Sequence, residues 1–357
     1  MLLLVCGGMN FWTSLEYDDH EQVCLFSDAA SGLRAIVAIH STALGSAAGG
    51  TRFFAYPNDS HAMDDALRLS RAMSYKCALA GLPCGGGKAV ILGDPETLKS
   101  ERLLHAYGRF LNRIGSTFAT GEDVGMSVRD VETVREVTPF VAGTSKEGAG
   151  DPSIHTAIGI VHGLRAVLKW QFSRDSFAGT SVAIQGLGAV GWNLAERLHA
   201  QGVRLTVADI RPQKVERAVA EFGATAASPD LIHRAEVDIF SPCALGGIIS
   251  ERTVGEIRAR AVAGAANNQL ATPAAGEALA AAGILYAPDY VLNAGGIISG
   301  LEAYFKMPGR TGTIESPLSS RLAQIHDRLG EIFERSRREQ RPPEATAGQM
   351  ARELIGR

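Results

Sequence analysis

The sequence predicts an α/β chain of two domains, and three observations carry that reading. Its 357 residues are enough for two separate hydrophobic cores. Strand and helix signals alternate through both halves, the order that specifies a largely parallel sheet. A glycine-rich polar stretch, "GTSKEGAGDPS" at 143–153, interrupts the alternation and predicts a junction. Composition narrows the function classes. With 46% hydrophobic and 20% charged residues and a net charge of −3, the chain has no basic excess for nucleic acid. It has no apolar run of membrane-spanning length. Forty glycines is a high count, as expected where many strand-to-helix turns or ligand loops occur. The five cysteines (Cys6, Cys24, Cys77, Cys84 and Cys243) form no C-x-x-C pair, and an odd number argues against a disulfide framework. A reduced, cytoplasmic protein is expected. The opening "MLLLVCGGMN" lacks the basic start and the long apolar run of a signal peptide; Met9 is at least as good a beginning, which leaves residues 1–8 in doubt.

Element by element, "GLRAIVAIHSTAL" reads as a strand entering a small-residue loop. In "SHAMDDALRLSRAMSYKCALAG", Met63, Ala66, Leu67, Ser70 and Met73 recur at helical spacing behind a possible Ser60 cap. "KAVILGD" is a short buried strand and "SERLLHAYGRFLNRIG" an amphipathic helix. "STFAT" is a further strand, and "SVRDVETVREV" follows as a helix. In the second half, "TSVAIQ" is a strand, "AVGWNLAERLHAQG" a helix with a glycine stop, and "VRLTVAD" the next strand. "VDIFSP", "RAVAGA" and "ILYAP" continue the strand series, and the last sixty or so residues are mainly helical.

Two local patterns carry chemistry. In "CALAGLPCGGGKAVI", Lys76 and Lys88 bracket a glycine-rich reversal, Gly85 to Gly87, which reads either as a structural turn or as a place where a ligand approaches backbone. Solvated surface lysines are the plain alternative, but the "GGG" and "AVIL" flanks make a poor setting for a free charge at Lys88. A desolvated lysine beside another cation exchanges protons near neutrality. "TGEDVGMS" adds Glu122 and Asp123 in a glycine-flanked loop, where an acid is either catalytic or a cap for the helix that follows. The second pattern, "GLGAVG", places Gly186, Gly188 and Gly191 between a strand and a helix, with Asp209 ending the next strand. That context fits a pyrophosphate on a helix N-terminus and a carboxylate on a ribose diol, so the second domain is expected to be of Rossmann type and to bind NAD in preference to NADP. A tight strand-to-helix turn with a surface aspartate is the alternative.

Together these segments resemble the amino acid dehydrogenases of the glutamate, leucine, phenylalanine and valine group over nearly the whole chain. The matching motifs are "GGTRF", "DALRLSRAMSYKCALAGLPCGGGKAVI", "GEDVG", "GLGAVG", "PCALGG", "AGAANNQL" and "YAPDYVLNAGG", in the family's order. The resemblance implies a substrate-binding and oligomerisation domain at 9–148, an NAD-binding domain at 149–300, a helical segment at 301–357, and a cleft between the domains. It implies Lys88 and Asp123 as the catalytic pair. Lys76 and the Gly50 backbone would hold the substrate carboxylate, with Asn268 beside the substrate. Gly186, Gly188, Ala189, Val190, Gly191, Asp209 and Arg211 would meet the cofactor, with Thr156, Cys243, Ala244, Ala266, Asn267 and Asn293. No metal is implied, and His155 reads as structural. Implied partners are an L-amino acid or 2-oxo acid and ammonium, with more than one subunit.

Departures from the family pattern bear on the substrate side chain. Ala48 stands where glutamate enzymes of this group carry a lysine, so glutamate is not expected. Ala48, Gly121 and Gly300 are all small and together favour a bulky substrate, narrowly phenylalanine, with leucine or valine as the alternative. A compensating side chain such as Leu301 or Phe305 would refill the space. A catalytically silent NAD-binding module is the alternative of another class.

Overall fold

The computed structural model describes residues 11–142, 151–305 and 316–357, without the side chains of Thr13, Glu302, Ala303 and Tyr304. The doubtful start at 1–8 and most of the expected junction at 143–153 lie outside the described residues. The chain divides into two compact units, one of Met1–Ala149, Gly300–Ile314 and Leu354–Arg357, the other of Gly150–Ser299 and Glu315–Glu353. The segment 301–357 is therefore shared between the units.

In the first unit, β1 (Gln22–Asp28) and β2 (Leu33–Ser41) form an antiparallel hairpin. β3 (Ala47–Ala48) and β4 (Thr51–Phe54) follow, then helix α1 (Asp59–Leu79) and β5 (Gly85–Leu92). The short α2 (Pro95–Leu98), α3 (Glu101–Ile114), β6 (Phe118–Ala119) and α4 (Val128–Arg135) complete it. The sheet order is β1-β2-β5-β3-β6, with β4 also on β5. Every residue of β5 is buried, because helices cover both faces. On one face Val90 and Leu92 pack with Ala62, Met63, Ala66 and Leu67 of α1. On the other, Ala89 and Ile91 pack with Leu103, Tyr107 and Leu111 of α3. The caps differ in part from the sequence expectation. α1 is capped by Asn58, whose side chain accepts from the His61 N–H, and not by Ser60. Ser127 caps α4 in a reciprocal capping box with Asp130, so Asp123 is free of that structural duty.

The second unit begins with α5 (Pro152–Phe172), capped by Asp151. Then come β7 (Ser181–Gln185), α6 (Ala189–His199), β8 (Arg204–Ala208), α7 (Pro212–Phe222) and β9 (Thr225–Ala226). β10 (Ile239–Pro242), α8 (Glu251–Val254), β11 (Ala261–Val262), α9 (Pro273–Ala281) and β12 (Leu285–Tyr286) follow. The remaining helices are α10 (Asp289–Leu292), α11 (Gly295–Phe305), α12 (Leu318–Glu339) and α13 (Pro343–Leu354). The six strands run in the order β12-β11-β10-β7-β8-β9, and each pairing is parallel. That is the doubly wound order in which chain direction across the sheet reverses beside β7, the strand that feeds "GLGAVG". Among the described residues no helix is long and apolar enough to cross a membrane.

Candidate active site

Strand parity builds the charged cluster of the first unit. In β4, Thr51 and Phe53 point into the core and are wholly buried, which turns Arg52 to the opposite face. Arg52 is registered against Val90 of β5, on the face that α1 covers, and Lys88 lies two residues before Val90 on that same face. The acidic loop is then laid beside β4 by backbone bonds. Thr51 N–H donates to the Gly121 carbonyl at 2.9 Å and Phe53 N–H to the Val124 carbonyl at 2.9 Å. Between those two bonds Arg52 and Asp123 meet. Arg52 Nε donates to Asp123 Oδ2 at 2.9 Å, and Lys88 Nζ stands 3.1 Å from the same oxygen. Arg52 Nη1 reaches on to Asp65 Oδ2 of α1 at 2.8 Å, where Tyr56 Oη also donates. The other Asp65 oxygen accepts from Arg68.

The charges in this cluster are tuned in one direction. Burial holds the Lys88 ammonium below the ordinary lysine range; Asp123 opposes that shift and Arg52 adds to it. Burial works to raise the Asp123 carboxyl, but the Lys88 and Arg52 cations prevail and hold it below the usual carboxylate range. Arg52 thus favours both an ionised Asp123 and a deprotonated Lys88. Such a pair can accept and return protons in a largely dry setting.

The glycines at 85–87 serve close packing within the first unit. They are strand, not turn. A Cβ on Gly86 would strike the backbone of Ser74 in α1, one on Gly85 would strike the Ser41 carbonyl, and one on Gly87 would meet the Phe118 ring. These residues are glycine so that α1 and the neighbouring strands can close on β5, and that close packing buries Lys88. Gly50 is set in the same way, since a Cβ there would collide with the Glu122 carbonyl and press on Asp123. Lys76 is half-buried in the last turn of α1. Of the three small positions read as a roomy pocket, only one faces open space. A Cβ on Gly121 would lie 3.1 Å from the Ala142 carbonyl, a tight contact relieved by a shift of a few tenths of an ångström. Ala48 is 4% exposed in β3, while a Cβ on Gly300 would have nothing within 4 Å.

In the second unit, the glycine loop is shaped for an anionic ligand. Gly186 turns with φ +96°, a conformation that requires glycine, and a Cβ on Gly191 would strike the Gly186 carbonyl. α6 starts at Ala189 and Val190 behind Gly188, with no side chain capping it, in contrast to the capped α1, α3, α4 and α5. A Cβ on Gly188 would meet nothing within 4 Å. Exposed N–H groups at the head of a helix fit a dinucleotide pyrophosphate. Asp209 follows β8, accepting from the Leu187 N–H at 2.7 Å and the Arg211 N–H at 2.8 Å. Lys214, absent from the sequence expectation, donates to the Leu187 carbonyl at 2.6 Å and holds the loop from the other side. Asn293 Nδ2 donates to the Ala265 carbonyl at 3.0 Å and to Asn267 Oδ1 at 2.8 Å, and its buried Oδ1 has no hydrogen-bond partner among the described residues. Asn268 has φ +52°. Thr156 Oγ1 bonds back to the Pro152 carbonyl. Ala244 packs where a Gly186 Cβ would go, and burial raises the Cys243 thiol. Ala266 is buried next to Asn267. Sequence reasoning also missed Arg52; its one signal was an arginine inside "GGTRF", at the parity opposite to Thr51 and Phe53.

A Rossmann-type unit and a second α/β unit carrying a buried lysine–carboxylate pair define a dehydrogenase-type oxidoreductase. Comparison with known proteins makes this specific. Residues 20–143 match the family described as Glu/Leu/Phe/Val dehydrogenase, dimerisation domain, and residues 148–350 match Glutamate/Leucine/Phenylalanine/Valine dehydrogenase. The chain is 43% identical over 349 residues to leucine dehydrogenase of Geobacillus stearothermophilus, covering 97% of this chain and 94% of that one. It is 44% identical over 341 residues to valine dehydrogenase of Streptomyces albus, covering 94% and 92%. The crystal structure of L-tryptophan dehydrogenase from Nostoc punctiforme superposes with a TM-score of 0.82 at 41% identity, covering 94% and 96%. The chain belongs to the glutamate/leucine/phenylalanine/valine dehydrogenase family and is an amino acid dehydrogenase. The alternative of a catalytically silent module is set aside.

Proposed function

We propose that this enzyme catalyses the reversible, NAD-dependent oxidative deamination of a branched-chain L-amino acid, leucine or valine, to the 2-oxo acid and ammonium. The observation that carries the mechanism is Lys88 and Arg52 converging on one oxygen of Asp123. The loop Gly186–Gly191, Asp209 and Asn293 would hold NAD, which would supply the acceptor for the Cα hydride. Lys76 and the Gly50 backbone bind the substrate carboxylate. Asp123 takes and returns the protons of the substrate nitrogen. Lys88 accepts a proton from the attacking water and, once charged, stabilises the oxyanion that forms. The enzyme acts in the cytoplasm as a homo-oligomer.

The preference for leucine or valine rests on the leucine and valine dehydrogenase relatives at 43% and 44% identity. An aromatic substrate is the second reading, favoured by the open space beside Gly300 and by the tryptophan dehydrogenase relative. NADH formation across a panel of L-amino acids at alkaline pH decides between them. Hydrophobic discrimination is worth about 10–200-fold per methylene. Higher kcat/KM for leucine and valine than for phenylalanine and tryptophan supports the first reading, and the reverse order the second. No NADH with any of these substrates refutes both.

A further inference from the structure

Arg52 bridges Asp123 and Asp65, although no sequence motif singled it out as a functional residue. It could be a strut only: its Nη1 ties β4 to α1 through Asp65, itself held by Tyr56 and Arg68. Its Nε has no need to point at Asp123 for that purpose. A guanidinium presents donors in a fixed planar fork, so one anchored by Asp65 on one arm has its other arm fixed in direction. That direction is Asp123 Oδ2, at 2.9 Å. Lys88 takes the same oxygen at 3.1 Å. With both cations on Oδ2, Oδ1 is left as the oxygen that accepts no hydrogen bond from the described residues. The Asp123 side chain retains 23% of its surface while that of Lys88 retains 7%.

We propose that Arg52 is a positioning residue for the deamination: through its Asp65 anchor it turns Asp123 so that Oδ1 faces the substrate nitrogen, and it keeps that carboxylate ionised beside the buried Lys88. The inference rests on the reading of Asp123 as the acid–base group. Among the described residues, the charged and titratable groups bonded to the pair come from three elements, and Glu122 adjoins Asp123 in the loop. Arg52 comes from β4, Lys88 from β5, and Asp65 from α1, with Tyr56 behind Asp65. Loss of the Arg52 charge therefore acts on both members of the pair with the same sign. The carboxylate loses a stabilising cation and the lysine loses a repelling one, so each holds its proton to higher pH.

The test is the pH profile of kcat for deamination in Arg52→Gln, Arg52→Lys and the parent, with stability followed by urea unfolding. In Arg52→Gln the acid limb moves to higher pH whichever of the two groups sets it. The loss of kcat is then about tenfold or more on the acid side and shrinks toward alkaline pH. Arg52→Lys keeps the charge but cannot bridge Asp65 and Asp123 with one rigid fork, so the limb stays near the parent position while kcat falls several-fold. An Arg52→Gln limb at the parent pH, with only stability lost, makes Arg52 a strut and overturns the inference. Should Arg52→Gln not fold, Arg52→Lys decides, because parental kcat in that variant is equally fatal. Asp123→Asn separates the two layers: parental turnover there removes the acid–base reading itself, whatever Arg52 does.

Discussion

Replacing Lys88 by Met tests whether the buried ammonium serves catalysis or stability. Methionine approximates the aliphatic stem and removes only the charge. Breaking a buried ion pair ordinarily costs about 3–5 kcal/mol, because the surviving partner is left uncompensated. Here the survivor is Asp123, and Arg52 Nε remains on its Oδ2 at 2.9 Å. The variant is also relieved of holding an ammonium that is 7% exposed, a burden seen in the downward shift of Lys88. The net change in unfolding free energy is therefore expected to stay within about 2 kcal/mol. Catalysis has no such substitute, since neither Arg52 nor Asp123 can act as a neutral amine base. A positioned acid–base group contributes roughly 10²–10⁴-fold, so kcat should fall at least about a hundredfold, or about 2.7 kcal/mol in the barrier. Steady-state NADH formation gives kcat, urea unfolding gives stability, and NADH fluorescence confirms that cofactor binding survives. Turnover within tenfold of the parent, or activity lost only in proportion to unfolding, refutes the reasoning.

Gly86→Ala should destabilise the first unit by about 1–3 kcal/mol or more, because its Cβ meets the Ser74 backbone of α1; a urea midpoint equal to the parent's contradicts the packing account. His40 is buried, and that burial, aided by the His20 and Arg357 charges, pushes its ring down to about 3. A depressed pKa means the neutral ring contributes stability that is present above about pH 6.5 and lost as pH falls toward 3. Unfolding free energy should therefore drop by about 3 kcal/mol between roughly pH 7 and pH 4.5, and His40→Gln should flatten that slope. Asp209→Ala should weaken the NAD preference and bring NADP closer in kcat/KM, because a carboxylate near the ribose repels a 2′-phosphate. An unchanged ratio removes Asp209 from cofactor choice.

Much of the site was legible because its signals are local. "GLGAVG" sits between a strand and a helix with Asp209 after the next strand, and these neighbours in sequence are neighbours in the parallel sheet. Lys88 stood out because a charge between glycines and an apolar run is anomalous wherever the chain goes. Asp123 stayed ambiguous between cap and catalyst until Ser127 was found to cap α4. A missing side chain in a sequence does not say which way it would have pointed. Gly121 faces the Ala142 carbonyl and Gly300 faces open space.

By itself, then, the sequence determined the α/β alternation, the dinucleotide-type loop and the family, and it marked Lys88 and Asp123 as the candidate acid–base pair. All of these are written in short-range periodicity and in motifs of contiguous residues. Only the tertiary structure decided that Gly85–Gly87 is a central strand stripped of side chains for close packing, and that Arg52 shares Asp123 with Lys88. Arg52 and Asp123 are 71 residues apart. They meet because β4 presents alternate residues to opposite faces and because the 121–124 loop is hydrogen-bonded along it, and neither the face nor the pairing partner is encoded within any one segment.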